Sequence, residues 1–383
     1  MNGLLIFALI PLIPSMGLIP VLQVDFIQEA EALKSKGNFL TETGSKKVCG
    51  DRLCVEIGDN SGNLKVSTAE MILNQESIMP IKKGLFSSTM DFTVTSPEID
   101  PEKGYFVTEI ADGLYWLIDG GYQMMFLTTG QGVIVVDAPR EMEEKILQAI
   151  SDVTDEPITH VIYSHIHKDH IGSAHIYPDD AMYIAHSDAA RHLTMKNDPD
   201  RPIPTKFFDD TFTLSVGDQI LVLSYEGSFH SKGDIVILAP KQKVAMVVDL
   251  FHPNAGPFLG FGITTDMNAH LAIHDILLEK YDFEVLVPAH EQILATKDHL
   301  KTNKQFVLDV MANVVKAQQL IDYMVFAEQY SSQGQYAIYA NYFDAVAQTC
   351  AELTLKDWQD KLNELEPFMK DHCRVMNFYV SID

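Results

Sequence analysis

Positive charge is scarce in this sequence. The 383 residues include 28 lysines and arginines against 53 aspartates and glutamates, which gives a formal net charge of −25 at pH 7. A surface that binds nucleic acid phosphates needs clustered basic side chains, and no basic run occurs anywhere along the chain. We therefore expect no nucleic-acid partner, and a small molecule is the expected substrate.

Charge of either sign is absent from the first 24 residues, and Asp25 is the first charged side chain. An apolar N-terminus of this length is typical of a secretion signal or a membrane anchor. Pro11, Pro14 and Pro20 would interrupt a helix, so an apolar arm packed on the protein body is the alternative. We expect residues 1–24 to be a signal peptide or membrane anchor. The protein would then be exported, as a secreted, periplasmic or outer-surface membrane-anchored protein.

Cysteine is also sparse. The sequence contains four cysteines and no CxxC pair, which disfavours a zinc ribbon. The segment VCGDRLC can close a small disulfide loop between Cys49 and Cys54, and such a loop suits an oxidising compartment. We favour this disulfide over four unrelated thiols. The spacing leaves Cys350 and Cys373 unassigned.

The remaining composition is that of an ordinary globular protein. Apolar residues make up 46% of the chain and charged residues 21%, which indicates neither wholesale disorder nor a protein with many membrane spans. The length fits one large domain with appendages or two domains.

The hydrophobic pattern changes near residue 104. Three short runs, YFVTEI, LYWLI and QMMFLTT, are separated by ADG and DGG turns, which predicts consecutive antiparallel strands. Further along, apolar runs typical of strands alternate with segments of helical apolar spacing. This alternation predicts an α/β body in which helices cover the sheets.

These patterns divide the chain into four parts. Residues 1–24 are the first part, residues 25–103 form an N-terminal extension, and residues 104–295 form the α/β body. Residues 296–383 show apolar side chains at i, i+3 or i+4 spacing, which predicts a mainly helical C-terminal region. That region is either a helical cap or an oligomerisation element, such as the interface of a homodimer.

One segment, YSHIHKDHIG at residues 163–172, concentrates residues that bind metals. It places three histidines and an aspartate within six consecutive positions. His165 and His167 project to the same side if the chain stays extended, because side chains alternate along a strand. A helix that begins near Asp169 brings Asp169 and His170 onto its first turn. Imidazoles this close repel one another when protonated, so a metal ion at a common centre is the simplest explanation.

More ligand-type residues follow apolar runs further along the chain. His230 follows a predicted strand, and Asp249 and His290 end the runs KVAMVVD and EVLVPAH. Functional groups of α/β proteins collect at such strand ends. Imidazole and carboxylate ligands suit zinc, iron or manganese, and zinc is the usual ion at a hydrolytic site.

Together these residues resemble the metal-binding pattern of the metallo-β-lactamase superfamily. The matching residues occur in the family's order, namely His165, His167, Asp169, His170, His230, Asp249 and His290. Asp137, at the end of GVIVVD, resembles the supporting aspartate of the family's first motif. The resemblance covers roughly residues 104–295.

The resemblance implies a four-layer αββα sandwich with a dinuclear site at one edge. One divalent ion would be held by His165, His167 and His230, and the second by Asp169, His170 and His290. Asp249 would bridge the two ions, with Zn²⁺ as the first choice and iron or manganese as alternatives. Asp137 would orient ligands or neighbouring loops.

The sequence departs from the family at three positions near the ligands. Val248, Ala289 and Glu291 stand where relatives commonly have glycine. These departures affect the packing of the loops more than ligation, and they leave the subfamily open.

A dinuclear site of this kind implies hydrolysis by a metal-bridging hydroxide. Asp169 would orient this nucleophile and shuttle a proton to the leaving group. His252, shortly after Asp249, is a candidate substrate contact, and a loop residue without a role is the alternative.

The expected substrate is a small ester or lactone, as in acyl-homoserine lactonases. β-Lactam or thioester hydrolysis is the alternative. An iron-dependent persulfide dioxygenase is the alternative from another class, and metal content separates the two classes.

Overall fold

The computed structural model describes residues 91–382 and, further upstream, the backbone of three strands. The chain divides into two compact units, Met1–Ile78 and Met79–Asp383. The first contains an antiparallel sheet of β1 (Lys46–Gly50), β2 (Leu53–Ile57) and β3 (Leu64–Ser67), in that order. The register of β1 and β2 places Cys49 opposite Cys54. The side chains of these strands and residues 1–24 lie outside the described residues, so the disulfide and the export segment stay predictions.

The second unit contains a seven-stranded sheet in the order β10-β9-β8-β7-β6-β5-β4. Its strands are β4 Phe106–Ala111, β5 Leu114–Ile118, β6 Gln123–Thr128, β7 Val133–Val136, β8 Ile158–Ile162, β9 Met182–His186 and β10 Lys206–Phe208. Strands β4 to β7 pair antiparallel, and β7 to β10 pair parallel. Asp112 and Gly113 join β4 to β5 with φ values of 43° and 79°, the conformation of a tight two-residue hairpin.

A second, five-stranded sheet has the order β11-β12-β13-β14-β15. Its strands are β11 Thr211–Val216, β12 Gln219–Ser224, β13 Val236–Ala239, β14 Val244–Met246 and β15 Val285–Val287. Only the pair β14–β15 is parallel within this sheet.

Eight right-handed α-helices lie within residues 91–382. They are α1 Glu143–Ser151, α2 Lys168–Ile171, α3 Ser187–Lys196, α4 Met267–Lys280, α5 Lys297–Leu320, α6 Tyr323–Tyr330, α7 Gln335–Trp358 and α8 Met369–Ile382. Short 3₁₀ turns occur at Ala174–Ile176 and Ser331–Gln333. No helix among these residues is both long and apolar enough to cross a membrane.

The alternating side chains of β7 show how the layers stack. Ile134 and Val136 pack in the core between the two sheets, together with Ile237 of β13. Val133 and Val135 point the other way and pack on α1. On the far side of the second sheet, α4 packs on β14. The order helix, sheet, sheet, helix confirms the expected αββα sandwich.

The C-terminal helices form a core of their own. Residues of α5, α7 and α8 bury one another, with Phe306 and Trp358 in edge-to-face contact at 5.3 Å between ring centroids. A disulfide between Cys350 and Cys373 joins α7 to α8. The sequence patterns left these two cysteines unassigned.

Candidate metal centre

The ends of strands from both sheets deliver the ligand-type residues to one place. The HIHKDH segment follows β8, and His230 lies between β12 and β13. Asp249 and His290 follow the parallel strands β14 and β15. Parallel strands end at the same edge of a sheet, which explains why residues so distant in sequence meet here.

Four of the residues form the first group. The side chains of His165, His167, His230 and Asp249 each place one ligand atom within 4.8 Å of all the others. His230 Nε2 lies 2.9 Å from His167 Nδ1 and 3.2 Å from Asp249 Oδ2. His165 Nε2 lies 3.5 Å from the same carboxylate oxygen.

The second group consists of Asp169, His170, Asp249 and His290. His170 Nε2 lies 3.1 Å from His290 Nε2 and 3.1 Å from Asp249 Oδ2. Asp169 Oδ2 lies 3.3 Å from His170 Nε2, and Asp249 Oδ1 lies 3.2 Å from His290 Nε2. Asp249 therefore belongs to both groups: its Oδ2 lies near His165, His170 and His230, and its Oδ1 lies near His290.

This geometry fits divalent metal binding. Tetrahedral ligands bonded at about 2.0–2.2 Å lie about 3.3–3.6 Å from one another, and the distances above are close to that separation. His165 Nε2 is buried and has no hydrogen-bond partner within residues 91–382. A buried polar atom without a partner is costly, and a cation at the centre of the group would satisfy it.

Burial holds part of the cluster in the form that binds metals. It lowers the pKa of His167 to about 4 and that of His165 well below its ordinary value. Both imidazoles are therefore neutral at pH 7, as metal ligation requires. Burial also opposes ionisation of Asp249, but the neighbouring rings, led by His170, lower its pKa well below the usual range.

Asp137 holds the backbone that precedes the first ligand. Its Oδ1 accepts a hydrogen bond of 2.7 Å from the Ser164 amide, and its backbone carbonyl accepts one of 2.8 Å from the Tyr177 hydroxyl. Burial raises the pKa of Asp137 to about 7. The contact with the ligand loop is thus made through the backbone next to His165.

Asp234 performs a similar task for His230 and was not singled out from the sequence. Its carboxylate accepts hydrogen bonds of 2.7 Å from the amides of His230 and Ser231 and one of 2.8 Å from the Ser231 hydroxyl. Gly233 has a φ of 76°, and a Cβ there would lie 2.7 Å from the Ala189 nitrogen. The turn residues in HSKGD were the available signal.

Gln123 supports the loop of His290, and no pattern in the sequence indicates it. Its Nε2 donates to the carbonyls of His290, Glu291 and Ile293 at 2.5–3.0 Å. Ala289 and Glu291 have φ values of 83° and 67°, in the left-handed region that favours glycine. These are two of the positions where relatives commonly have glycine, so this loop is held in a conformation that its side chains disfavour.

The ligand cluster forms one wall of a cavity of about 430 Å³. The apolar wall of the same cavity is formed by Phe251, Pro257, Phe258 and Ile263. His252 also lines this cavity, with its ring 5.7 Å from that of His290, and burial lowers its pKa to about 4.

Two further side chains complete the cavity. Tyr122 stands beside the ligands, with its ring 4.8 Å from that of His290. Lys168 also lines the cavity, and its Nζ lies 2.6 Å from the Asp198 carboxylate. Lys168 is the one lysine or arginine among the described residues of the lining.

The part of the chain that contains these residues matches a known protein family. Residues 117–290 match the model of the family described as the metallo-beta-lactamase superfamily, and this part of the chain belongs to that superfamily. The resemblance drawn from the ligand pattern is therefore confirmed.

Individual relatives are distant. The alpha subunit of a 2,4-dinitroanisole O-demethylase from Nocardioides sp. (strain JS1661) is 26% identical over 160 residues, which is 39% of this chain. The match spans about half of that relative, 49% of its length.

Two solved structures are similar to parts of the chain. A metallo-beta-lactamase from Pontibacter korlensis aligns with 52% of this chain and 99% of its own, with 18% identity and a TM-score of 0.46. A double mutant of the sec-alkyl sulfatase PisA1 aligns with 58% of this chain and 45% of its own, with 16% identity and a TM-score of 0.50. The second likeness shows the fold alone.

Proposed function

We propose that this protein is a dinuclear metal-dependent hydrolase of a small uncharged ester or lactone, such as an acyl-homoserine lactone. Asp249 faces both ligand groups, which supports two ions at this centre, with zinc as the first choice. Two divalent ions held there would supply an activated water as nucleophile at neutral pH and would polarise the carbonyl oxygen of the substrate.

The choice of substrate rests on the charge and polarity of the side chains that line the cavity. An anionic group of the substrate that lies away from the ions would be favoured by an available cationic side chain, whereas Lys168 is already paired with Asp198. The apolar wall of the cavity suits an alkyl, acyl or aromatic group instead. Both observations favour an uncharged ester or lactone over a β-lactam, which carries a carboxylate.

We assign the proton transfer to Asp169. Its side chain is 41% exposed and lines the cavity beside the ligands. Burial opposes its ionisation, but the hydrogen bond and charge of His170 lower its pKa below the ordinary value. At neutral pH this carboxylate can accept a proton from the attacking water and return it to the departing alkoxide oxygen.

An aryl ether is a second candidate substrate. The curated relative is named for O-demethylation of 2,4-dinitroanisole, an uncharged aromatic molecule, and the exposed ring of Phe258 gives this cavity an aromatic wall. Dinitroanisole therefore belongs in any substrate panel, beside the lactones and esters.

Metal quantification combined with a substrate panel tests the proposal. We expect two zinc ions per chain and turnover of uncharged esters or lactones in preference to β-lactams, thioesters and sulfate esters. One iron per chain would contradict the hydrolase and favour persulfide oxidation, the alternative from another class.

Ligand substitutions test the assignment of the residues. His165→Ala and His230→Ala should each remove one metal ion and nearly all activity, with the circular dichroism spectrum unchanged, because each removes one of the few ligands of an ion. His175→Ala is the matched control, since its side chain is 43% exposed and is not one of the grouped ligands. Turnover of about a tenth of wild type or more in either ligand variant would contradict the assignment.

We also propose that the protein is exported and that its C-terminal helices form a homodimer interface. The Cys350–Cys373 disulfide supports export, because disulfides persist mainly in oxidising compartments. Fractionation of the native host and sedimentation of the purified protein test the two statements separately.

A further inference from the structure

Residues Leu259–Ile263 form a left-handed turn. Gly260, Phe261, Gly262 and Ile263 have φ values of 56°, 58°, 69° and 53°, all in the left-handed region. Glycine adopts this region freely, but phenylalanine and isoleucine are disfavoured there by contact of Cβ with the backbone. Such a conformation persists only where the surroundings hold it, and it is most often found at functional sites.

This left-handed turn, with the preceding residue Phe258, forms part of the apolar wall of the substrate cavity. Phe258 and Ile263 are 52% and 47% exposed and line the cavity. The turn also lies against the metal centre. A Cβ added to Gly262 would lie 3.1 Å from the Asp249 carbonyl oxygen and 3.6 Å from His230 Nδ1. The position of the turn therefore sets the width of the cavity beside the ligands.

A residue of the C-terminal helices holds the turn in place. The Phe261 amide donates a hydrogen bond of 3.0 Å to Nδ1 of His372, in α8. The two rings are also in contact, with centroids 4.8 Å apart, and both side chains are fully buried. The neighbouring residue Phe368 packs on Phe258, with centroids 5.0 Å apart.

His372 is in the protonation state that this contact needs. Burial lowers its pKa to about 4, although the carbonyl of Pro257 acts in the opposite direction. At neutral pH the ring is uncharged, and the lone pair on Nδ1 accepts the hydrogen bond from the Phe261 amide. Without that acceptor the amide of Phe261 would be left unpaired in the protein interior, which is costly.

We propose that His372 is a positioning residue that determines substrate specificity. By accepting the Phe261 amide and packing on its ring, it holds residues 258–263 so that Phe258 and Ile263 bind the apolar chain of the substrate. The inference rests on the proposed hydrolase function for the chemistry, but the apolar chain can be tested without turnover.

The test measures binding of two metal-chelating hydroxamates to the metal-loaded protein by titration calorimetry. Octanohydroxamic acid and acetohydroxamic acid share the chelating group and differ only in the length of the apolar chain. We expect wild type to bind the octanoyl compound at least about tenfold more tightly, because burial of several methylene groups favours binding. His372→Leu, which removes the acceptor, should reduce this ratio to about twofold or less.

Rescue and control variants separate positioning from a merely structural role. His372→Asn keeps an acceptor near the position of Nδ1 and should restore most of the ratio. Phe258→Ala removes an exposed side chain of the wall and should lower the ratio without loss of folding. His274→Leu removes another buried imidazole, one that contacts α5 through Asn303 instead of the turn, and should leave the ratio unchanged.

Two outcomes would overturn the proposal. One is a wild-type ratio near unity, and the other is a ratio that His372→Leu leaves unchanged. If His372→Leu does not fold, the other two variants decide. A ratio that is lost in His372→Asn, or one that is unchanged in Phe258→Ala, would then overturn the proposal. Failure of the hydrolase proposal is distinguishable, because wild type would then bind the hydroxamates with the expected ratio but hydrolyse no ester or lactone.

Discussion

Asp234 is a buried carboxylate that sets the geometry of His230 without itself being one of the grouped ligand-type residues. It accepts the amides of His230 and Ser231, so the direction of the His230 side chain follows from hydrogen bonds made by its own backbone. Burial raises the pKa of Asp234 to about 6, and the three hydrogen bonds offset part of the cost of placing it there.

Removal of this carboxylate should weaken metal binding. Asp234→Ala leaves two buried amides without an acceptor, and we expect about 10–100-fold lower metal affinity, the usual effect of losing a group that orients a ligand. Asp234→Asn keeps one oxygen for the two amides and should stay closer to wild type. Competition with a chromogenic chelator measures the affinity. Asp218→Ala, at an exposed ion pair with Lys241, is the control.

The outcome that would count against this role is equal affinity in Asp234→Ala and Asp218→Ala. The turn of His230 would then be held by other contacts, such as that of Thr265, whose amide donates to the His230 carbonyl at 3.1 Å.

At the scale of elements, the disulfide between α7 and α8 is the main covalent constraint within residues 91–382. The two cysteines are separated by 23 positions. Closing a loop of that length lowers the conformational entropy of the unfolded chain, which stabilises the folded chain by about 3 kcal/mol. Cys373 directly follows His372, so the bridge also restrains the residue that holds the left-handed turn.

Loss of the bridge should lower the free energy of unfolding by about 3 kcal/mol. The double variant Cys350→Ala and Cys373→Ala should show this in urea unfolding followed by circular dichroism. Wild type treated with a reductant is the matched comparison and should shift in the same direction. A change below about 1 kcal/mol in the double variant would contradict a stabilising role.

Elements with a regular pattern could be predicted from the sequence, but the left-handed turn could not. The runs LYWLI and GVIVVD show uninterrupted apolar character and form β5 and β7 at those positions. The segment LGFGI shows only two glycines, and its conformation depends on His372, which lies 111 positions away.

At the scale of the whole molecule, buried neutral histidines couple stability to pH. Burial lowers the pKa of His270 to about 3 and that of His372 to about 4. An unfolded histidine has a pKa of about 6.5, so between about pH 6.5 and pH 4 the unfolded chain takes up protons that the folded chain does not. The stability that these neutral histidines contribute is therefore fully present above about pH 6.5 and is lost as the pH falls toward 4.

The contribution of one such residue can be measured by difference. For His372 the linkage amounts to about 2–3 kcal/mol between pH 7 and pH 4.5. Metal-free wild type should therefore lose about that much more stability than metal-free His372→Asn over this range, in urea unfolding at constant ionic strength. Equal losses in the two proteins would show that His372 is already protonated, or that it is exposed, in the folded chain.

The sequence by itself determined the α/β body and the identity of the ligand-type residues, because both depend on local patterns. Short apolar runs bounded by turns specify strands, and histidines two and three positions apart reach one centre from a single loop. Asp249 and His290 could be included because each ends a buried strand, and the family order supported the set.

Only the tertiary structure decided which other residues act on that centre. Gln123 reaches the loop of His290 from 167 positions away, and His372 reaches the cavity wall from the C-terminal helices. These contacts are a few hydrogen bonds and ring contacts between elements brought together by the packing of the hydrophobic cores. They leave no periodic trace in the sequence, because nothing in the local chain requires the partner to be there.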